Sequence, residues 1–376
     1  MKKILIPFAF LLLGSLSACG AELQAAGELE GELWASLEEF QPLEQVDSLA
    51  ITPDDEFDTG TFCRWYYDGN EDEFFATFGT GPTGQGQAGY VGGGEGGRGT
   101  AYKYFSTDLE ASGEEAYYIK GGGDLATVKV DDYLYHLTGD PKGWKLTKFD
   151  TRTWEEVDRV VIELEDEEGA NDQMLSYVNG MLIASSAYAD DANGSDTAGN
   201  EDRKIDPSVG IHTHHHVFDL DLNALDKWVF DDTLHANGSS MVFVDGIYHF
   251  VTTTAFFGDL MVMQYDEDWN YLGAKLLIKD AQWPQGSYYD ETTERFYVAY
   301  LAIEGGRRSE VSLAVFDKDW ELLSNTRVTD YGADYFGGRP SLLVHEGKIY
   351  VISDKETMST ERPSKDWQCQ LSVYEL

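Results

Sequence analysis

Four of the chain's eight histidines fall within five positions of GIHTHHHVFDLD, residues 210–221. Side chains alternate along an extended strand, so His212, His214 and His216 share one face and His215 takes the other. Neutral imidazole nitrogens ligate zinc and other transition metals, and His-x-His on a strand suits them. Three such residues span roughly 13 Å, so one ion takes two of them plus a ligand from a neighbouring strand. Packing and hydrogen bonding within the sheet is the competing reading. The DDANGSD stretch offers Asp190, Asp191, Asn193 and Asp196 as hard oxygen donors, the chemistry of a calcium loop over 190–196. It departs from EF-hand spacing, because Gly194 follows Asp190 by four and no glutamate closes the loop, so a solvated loop is favoured there.

A second set of polar residues sits in short glycine-containing stretches: Asp124 in GGGDL, Asp172 in GANDQ, His235 in LHANGSS, Gln285 beside Trp283 in WPQGS, and Arg339 in GGRPS. Asp124 and Asp172 could work as an acid and base on a glycosidic bond, with a histidine assisting. Aspartates at such positions are also ordinary turn residues. Arg339 could clamp a carboxylate or sulfate, or simply neutralise local acidity. The glycine-rich run at 79–99 has no following helix or lysine-serine pair and is no phosphate cradle.

A tandem repeat positions these residues. Its first hairpin reads WYYDGNEDEFFAT, VKVDDYLYHLT, SYVNGMLIASS, VFVDGIYHFVTT, YYDETTERFYVAYL and LLVHEGKIYVIS. Asn-Gly and Asp-Gly at these turns are strong hairpin signals, since primed turns need positive φ. A third strand ending in an aromatic residue and aspartate then turns into a fourth, as in TKFDTRTWEEV, MQYDEDWNYLG and AVFDKDWELLS. The turn residues Asp68, Asp131, Asn179, Asp245, Asp290 and Glu346 stand 63, 48, 66, 45 and 56 apart. A four-stranded unit of about 40–50 residues is the period of a propeller blade. Trp154, Trp269 and Trp320 recur at equivalent turns and read as packing between blades.

The expected fold is all-β: a six-bladed β-propeller over 46–376, with blades at about 60–119, 120–169, 170–235, 236–281, 282–333 and 334–376. The last copy stops after its third strand, and VDSLAIT, residues 46–52, is expected to supply the missing one and cover the open edge. Cys63 and Cys369 then meet at the seam, as a disulfide or as two buried thiols. The three long insertions all fall between second and third strands, so they emerge at one end, where the blades also begin. That end is the expected binding funnel.

The chain opens MKKILIPFAFLLLGSLSACG, a charged start, an apolar run and small residues before a cysteine, the pattern of an export signal over 1–18. Leu16-Ser17-Ala18-Cys19 resembles the lipobox of bacterial lipoproteins. The resemblance implies acylation of Cys19 and attachment to the bacterial envelope, at the outer membrane or cell surface because Gly20 follows the cysteine. Residues 19–45 read as a flexible spacer, helical in part around Leu33 to Phe40. With 68 acidic and 27 basic side chains, a formal charge of −41, the protein repels phosphate, which excludes nucleic acid as a partner. The expectation is a monomeric, lipid-anchored propeller that binds an extracellular small molecule, glycan or protein without chemistry of its own. The alternative is a polysaccharide-acting hydrolase or lyase in the same funnel.

Overall fold

The computed structural model describes residues 33–35, 42–52, 57, 59–80, 99–120, 126–140, 143–163, 169–189, 211–230, 238–253, 258–305, 307–357 and 367–376. Among them the protein is all-β, with no helix. Strand β1 (Gln45–Ala50) precedes a first module of β2 (Thr61–Asp68), β3 (Glu73–Thr80), β4 (Gly99–Phe105) and β5 (Ala111–Lys120). The second module is β6 (Ala126–Val130), β7 (Tyr133–Asp140), β8 (Gly143–Asp150) and β9 (Glu156–Glu163). The third is β10 (Gly169–Val178), β11 (Met181–Ala189), β12 (Ile211–Phe218) and β13 (Ala224–Phe230). Then come β14 (Ser240–Val244), β15 (Ile247–Thr253), β16 (Gly258–Asp266), β17 (Tyr271–Asp290), β18 (Arg295–Glu304), β19 (Arg307–Asp317) and β20 (Leu322–Arg327). The chain ends with β21 (Tyr335–His345), β22 (Lys348–Thr357) and β23 (Gln368–Glu375). All pairings between these strands are antiparallel and the order within each sheet is sequential, apart from β1, which pairs with β23.

Four sheets have four strands and one has seven, β14 through β20, so the fourth and fifth repeats are not separate sheets. The reason is the 20-residue β17, whose N-terminal part pairs with β16 and whose C-terminal part pairs with β18. No break in hydrogen bonding falls between the two repeats, although Asp280 and Trp283 have positive φ where the strand changes partner.

The first strands touch in a ring: β2 meets β6, β6 meets β10, β10 meets β14, β14 meets β17, β17 meets β21, and β21 returns to β2. Apolar clusters fill the spaces between successive sheets. Phe75, Leu134 and Phe149 join the first two modules. Tyr135, Leu146, Leu182 and Phe218 join the second and third, and Ile183, Tyr248 and Phe250 lie between the third and the seven-stranded sheet. Trp65, Phe74, Tyr350 and Val373 pack the first module on the sheet of β21–β23. The sheets are thus packed face to face around an axis, a propeller-like arrangement in which each strand alternation serves two interfaces.

The third-to-fourth-strand turns repeat one device. Asp219, Asp266 and Asp317 each accept two backbone N–H bonds from residues two and four positions on. The residue before the second donor has positive φ: Leu222, Trp269 and Trp320. Those bonds hold the Asp219 and Asp266 carboxyls below their ordinary range, Asn223 and Asn270 contributing most. The turn aims the tryptophans at neighbouring rings, Trp269 3.6 Å from Trp228 and Trp320 4.1 Å from Phe296.

The spacer is corrected at one place. Residues 33–35 are not helical: Trp34 bridges to Ile278 of β17, donating to the Leu277 carbonyl and accepting from the Lys279 N–H. Its indole packs on the cluster around Val262, Leu277 and Phe316. The local composition favoured a helix, but a large aromatic side chain gains more by burial against β17 than by intrinsic helix propensity, which is worth a few tenths of a kcal/mol per residue.

Candidate functional site

Several first strands carry a β-bulge near their N-terminal ends, and β17 carries one in its middle, where it changes partner. Register slips occur between Thr61 and Arg64 in β2, Asn171 and Met174 in β10, Gln282 and Gly286 in β17, and Gly338 and Ser341 in β21. In three of them a bulky residue has positive φ: Phe62 (52°), Trp283 (49°) and Arg339 (44°). That conformation is uncommon for such residues and costs on the order of 1–3 kcal/mol each. Bulges of this kind re-aim side chains and cluster near functional sites. Gly238 makes room for one of them, since a Cβ there would meet the Trp283 backbone at 2.7 Å.

The bulges bring aromatic rings and guanidiniums into an alternating ladder. The Arg339 guanidinium lies 4.2 Å from the Phe62 ring centroid and 4.9 Å from that of Trp283. Arg308, from β19, lies 4.1 Å from Trp283 and 5.5 Å from Phe336. Cation–π contacts of this kind hold guanidinium planes in place. Arg308 also donates from Nε to Gln282 at 3.1 Å. Arg64 donates to the Gln285 amide oxygen at 2.9 Å and to the carbonyls of Cys63 and Arg339. All three acceptors are neutral oxygens, and burial lowers its pKa from the ordinary value.

Two carboxylates at the end of β22 complete the cluster. Asp354 is fully buried and accepts from the Thr61 hydroxyl, the Phe62 and Cys63 N–H groups, and Arg339 Nη1 at 3.0 Å. Glu356, also buried, accepts from the same Arg339 nitrogen. Burial pushes the Glu356 carboxyl up, Arg339 opposing and Asp354 reinforcing the rise. Beside this cluster Cys63 and Cys369 form a disulfide. The cluster sets the guanidiniums of Arg64, Arg308 and Arg339 beside the carboxylates of Asp354 and Glu356 in a chain of charge −41. It is also the end where strands β3, β11 and β22 stop and β4, β12 and β23 start. The long connections 81–98, 190–210 and 358–366 themselves lie outside the described residues.

Of the residues expected in the funnel, the structure brings Gln285 and Arg339 together through Arg64. Arg339 is already engaged by two buried carboxylates, so neutralising acidity is one of its jobs. Asp124, His235, Cys19 and the 190–196 loop lie outside the described residues, and of Asp172 and His212 only the backbone is described, in β10 and β12. His214 and His216 fall on β12 opposite Ser186 and Ala184. Among the described residues the one group of three candidate metal ligands is Cys63, Asp354 and Cys369, and its two sulfurs are bonded to each other; a site that includes His212 lies outside what is described. The pleat instead buries His215 completely between sheets, against Ser185 at 2.7 Å and the edge of Phe250.

Sequence reasoning missed Phe62, Arg64, Arg308, Asp354 and Glu356. A usable signal existed in FCR, WPQ and RPS, the three bulges where a bulky residue with positive φ precedes cysteine or proline. Removing one partner of a buried ion pair is costly. Arg339→Ala is therefore expected to lower unfolding free energy by about 3 kcal/mol, read from urea denaturation, because two carboxylates lose their cation. A cost below about 1 kcal/mol, the range of surface pairs, would show that the pair is solvated.

No protein-family model matches the chain, and no curated protein does. Among solved structures it is similar to a mutant of Trypanosoma rangeli sialidase displaying trans-sialidase activity, at 12% identity and TM-score 0.55, covering 90% of this chain and 58% of that one. A xylan β-1,4-xylosidase from Bacillus halodurans C-125 matches at 14% identity and TM-score 0.46, covering 66% of this chain and 52% of that one. The chain thus spans little more than half the length of either protein. The first likeness concerns the fold alone.

Proposed function

We propose that this protein is an exported, lipid-anchored, six-bladed propeller that binds an acidic extracellular ligand, a carboxylate- or sulfate-bearing glycan or small molecule, at the arginine-lined mouth. In this reading β17 serves as the last strand of blade four and the first of blade five, and β1 closes blade six through its pairing with β23. Residues 1–18 direct export and Cys19 carries the lipid.

The single observation that supports ligand binding is the convergence of Arg64 and Arg339, at the bulges of β2 and β21, with Arg308 of β19, which lies on the Trp283 ring, in a strongly acidic chain. Guanidiniums stacked on rings present their N–H edges in a fixed fork that matches carboxylate and sulfate. The polysaccharide-acting alternative would use the same mouth, but its expected acid and base, Asp124 and Asp172, have no described side-chain positions.

The test is calorimetric titration of the purified chain with oligogalacturonate, a sulfated disaccharide and their neutral counterparts. Acidic ligands should bind with affinity that falls as salt rises, and Arg308→Ala should weaken them at least tenfold, about 1.4 kcal/mol, with thermal unfolding unchanged. Equal affinity for neutral counterparts, or no binding by either acidic class, would refute the reading. Palmitate labelling lost in Cys19→Ala tests the anchor separately.

A further inference from the structure

The opposite end of the ring holds a second site. A cavity of about 480 Å³ opens where β2, β6 and β21 finish, within the range of about 300–1,000 Å³ typical of small-molecule sites. Its floor is Tyr66 and Leu343, both half-buried. The Tyr66 hydroxyl is tied to Thr127 at 2.7 Å and so does not compete for a ligand.

One wall is an aromatic pair. The Tyr67 and His345 rings lie 3.8 Å apart, and Tyr67 is fixed by its hydroxyl bond to Asp72 at 2.7 Å. The facing rim comes from the adjacent hairpin turn, with Lys129, Asp131 and Asp132, and from Asn70, whose amide donates to Asp132. The Asp131 carboxylate and the His345 ring nitrogens have no hydrogen-bond partner among the described residues, so both are available to a ligand. Lys129 against two aspartates leaves this rim slightly anionic, the reverse of the arginine-lined mouth.

The geometry points to a docking site for an uncharged sugar ring, distinct from the mouth at the other end. An aromatic wall suits the apolar C–H face of a pyranose. A carboxylate accepts from adjacent hydroxyls, while an ammonium or imidazole donates or accepts alongside it. Acidic sugars are disfavoured by the two aspartates, which separates this ligand class from that of the mouth.

Saturation-transfer NMR and calorimetry on the full chain with glucose, galactose, mannose and N-acetylglucosamine and their disaccharides test the site. At least one should bind, and its affinity should fall tenfold or more in both Tyr67→Ala and Asp131→Asn. Asparagine tolerates the positive φ of 49° at that turn, so Asp131→Asn removes the charge and keeps the fold. Arg308→Ala, at the far end, should leave this binding unchanged whatever it does to acidic ligands. No binding by any of these sugars, binding indifferent to both variants, or displacement of the bound sugar by tetramethylammonium would overturn the proposal.

Discussion

Lowering the pH from 6.5 to 5 is expected to remove about 3 kcal/mol of stability through two buried histidines. Burial lowers His215 to about 3, with His214 and His216 adding to the shift, and lowers His249 to about 4. The Trp320 indole N–H donates to His249 Nδ1 at 3.1 Å, and since indole is a donor only, that nitrogen must stay unprotonated. In the unfolded chain both imidazoles titrate near 6.5. Below that pH the unfolded state binds protons that the folded state refuses, so stability is full above 6.5 and is lost on the way down to the folded values. Each histidine contributes about 1.4 kcal/mol per pH unit in that window.

Carboxylates held down by hydrogen bonds, such as Asp150, Asp219, Asp266 and Asp290, lose their contribution only below about pH 4, so they leave this window clear. Glu356, pushed up by burial, works in the opposite direction, one group against two. Urea denaturation at pH 7, 6 and 5 reads the slope, and His249→Gln should reduce it by half. A flat profile between pH 7 and 5 would mean that these imidazoles are charged in the folded protein.

The histidine strand shows what was legible in the sequence and what was not. Period-two alternation correctly set His215 apart from His214 and His216, because pleating is local. Both sides meet a neighbouring sheet, and His214 is buried as well as His215; how deeply each imidazole is enclosed depended on packing between modules, which no local spacing encodes. The repeat period and the Asn-Gly and Asp-Gly turns likewise carried the sheet order, since each hairpin is closed by residues a few positions apart. The mouth was different. Arg64 and Arg339 lie 275 residues apart and meet only when the ring closes, and the bulges that aim them leave no periodic trace. Trp34 was hidden for a similar reason, because its partner strand lies over two hundred residues downstream.

Ring closure itself supplies the other large effect. Removing the Cys63–Cys369 disulfide, by reduction or in Cys63→Ala/Cys369→Ala, should cost about 5 kcal/mol by chain entropy, because it closes a loop with a sequence separation of 306. Non-covalent contacts at the same seam moderate the consequence for the fold. Ile51 donates to the Cys369 carbonyl, Gly60 to that of Trp367, and β1 stays paired with β23. The reduced ring is therefore expected to remain closed at neutral pH, with a lower urea midpoint and faster amide exchange confined first to β1, β2 and β23. The mouth should loosen with it. Asp354 holds the Phe62 and Cys63 N–H groups as well as Arg339, and the disulfide ties the same bulge to β23, so its loss leaves the seat of Phe62 under the Arg339 guanidinium held by hydrogen bonds alone. Affinity for acidic ligands should fall on reduction, while the sugar site at the far end, built from the other tips of β2, β6 and β21, should keep its own. An unchanged urea midpoint after verified reduction would show that the seam is held by strand pairing and packing, not by the covalent link.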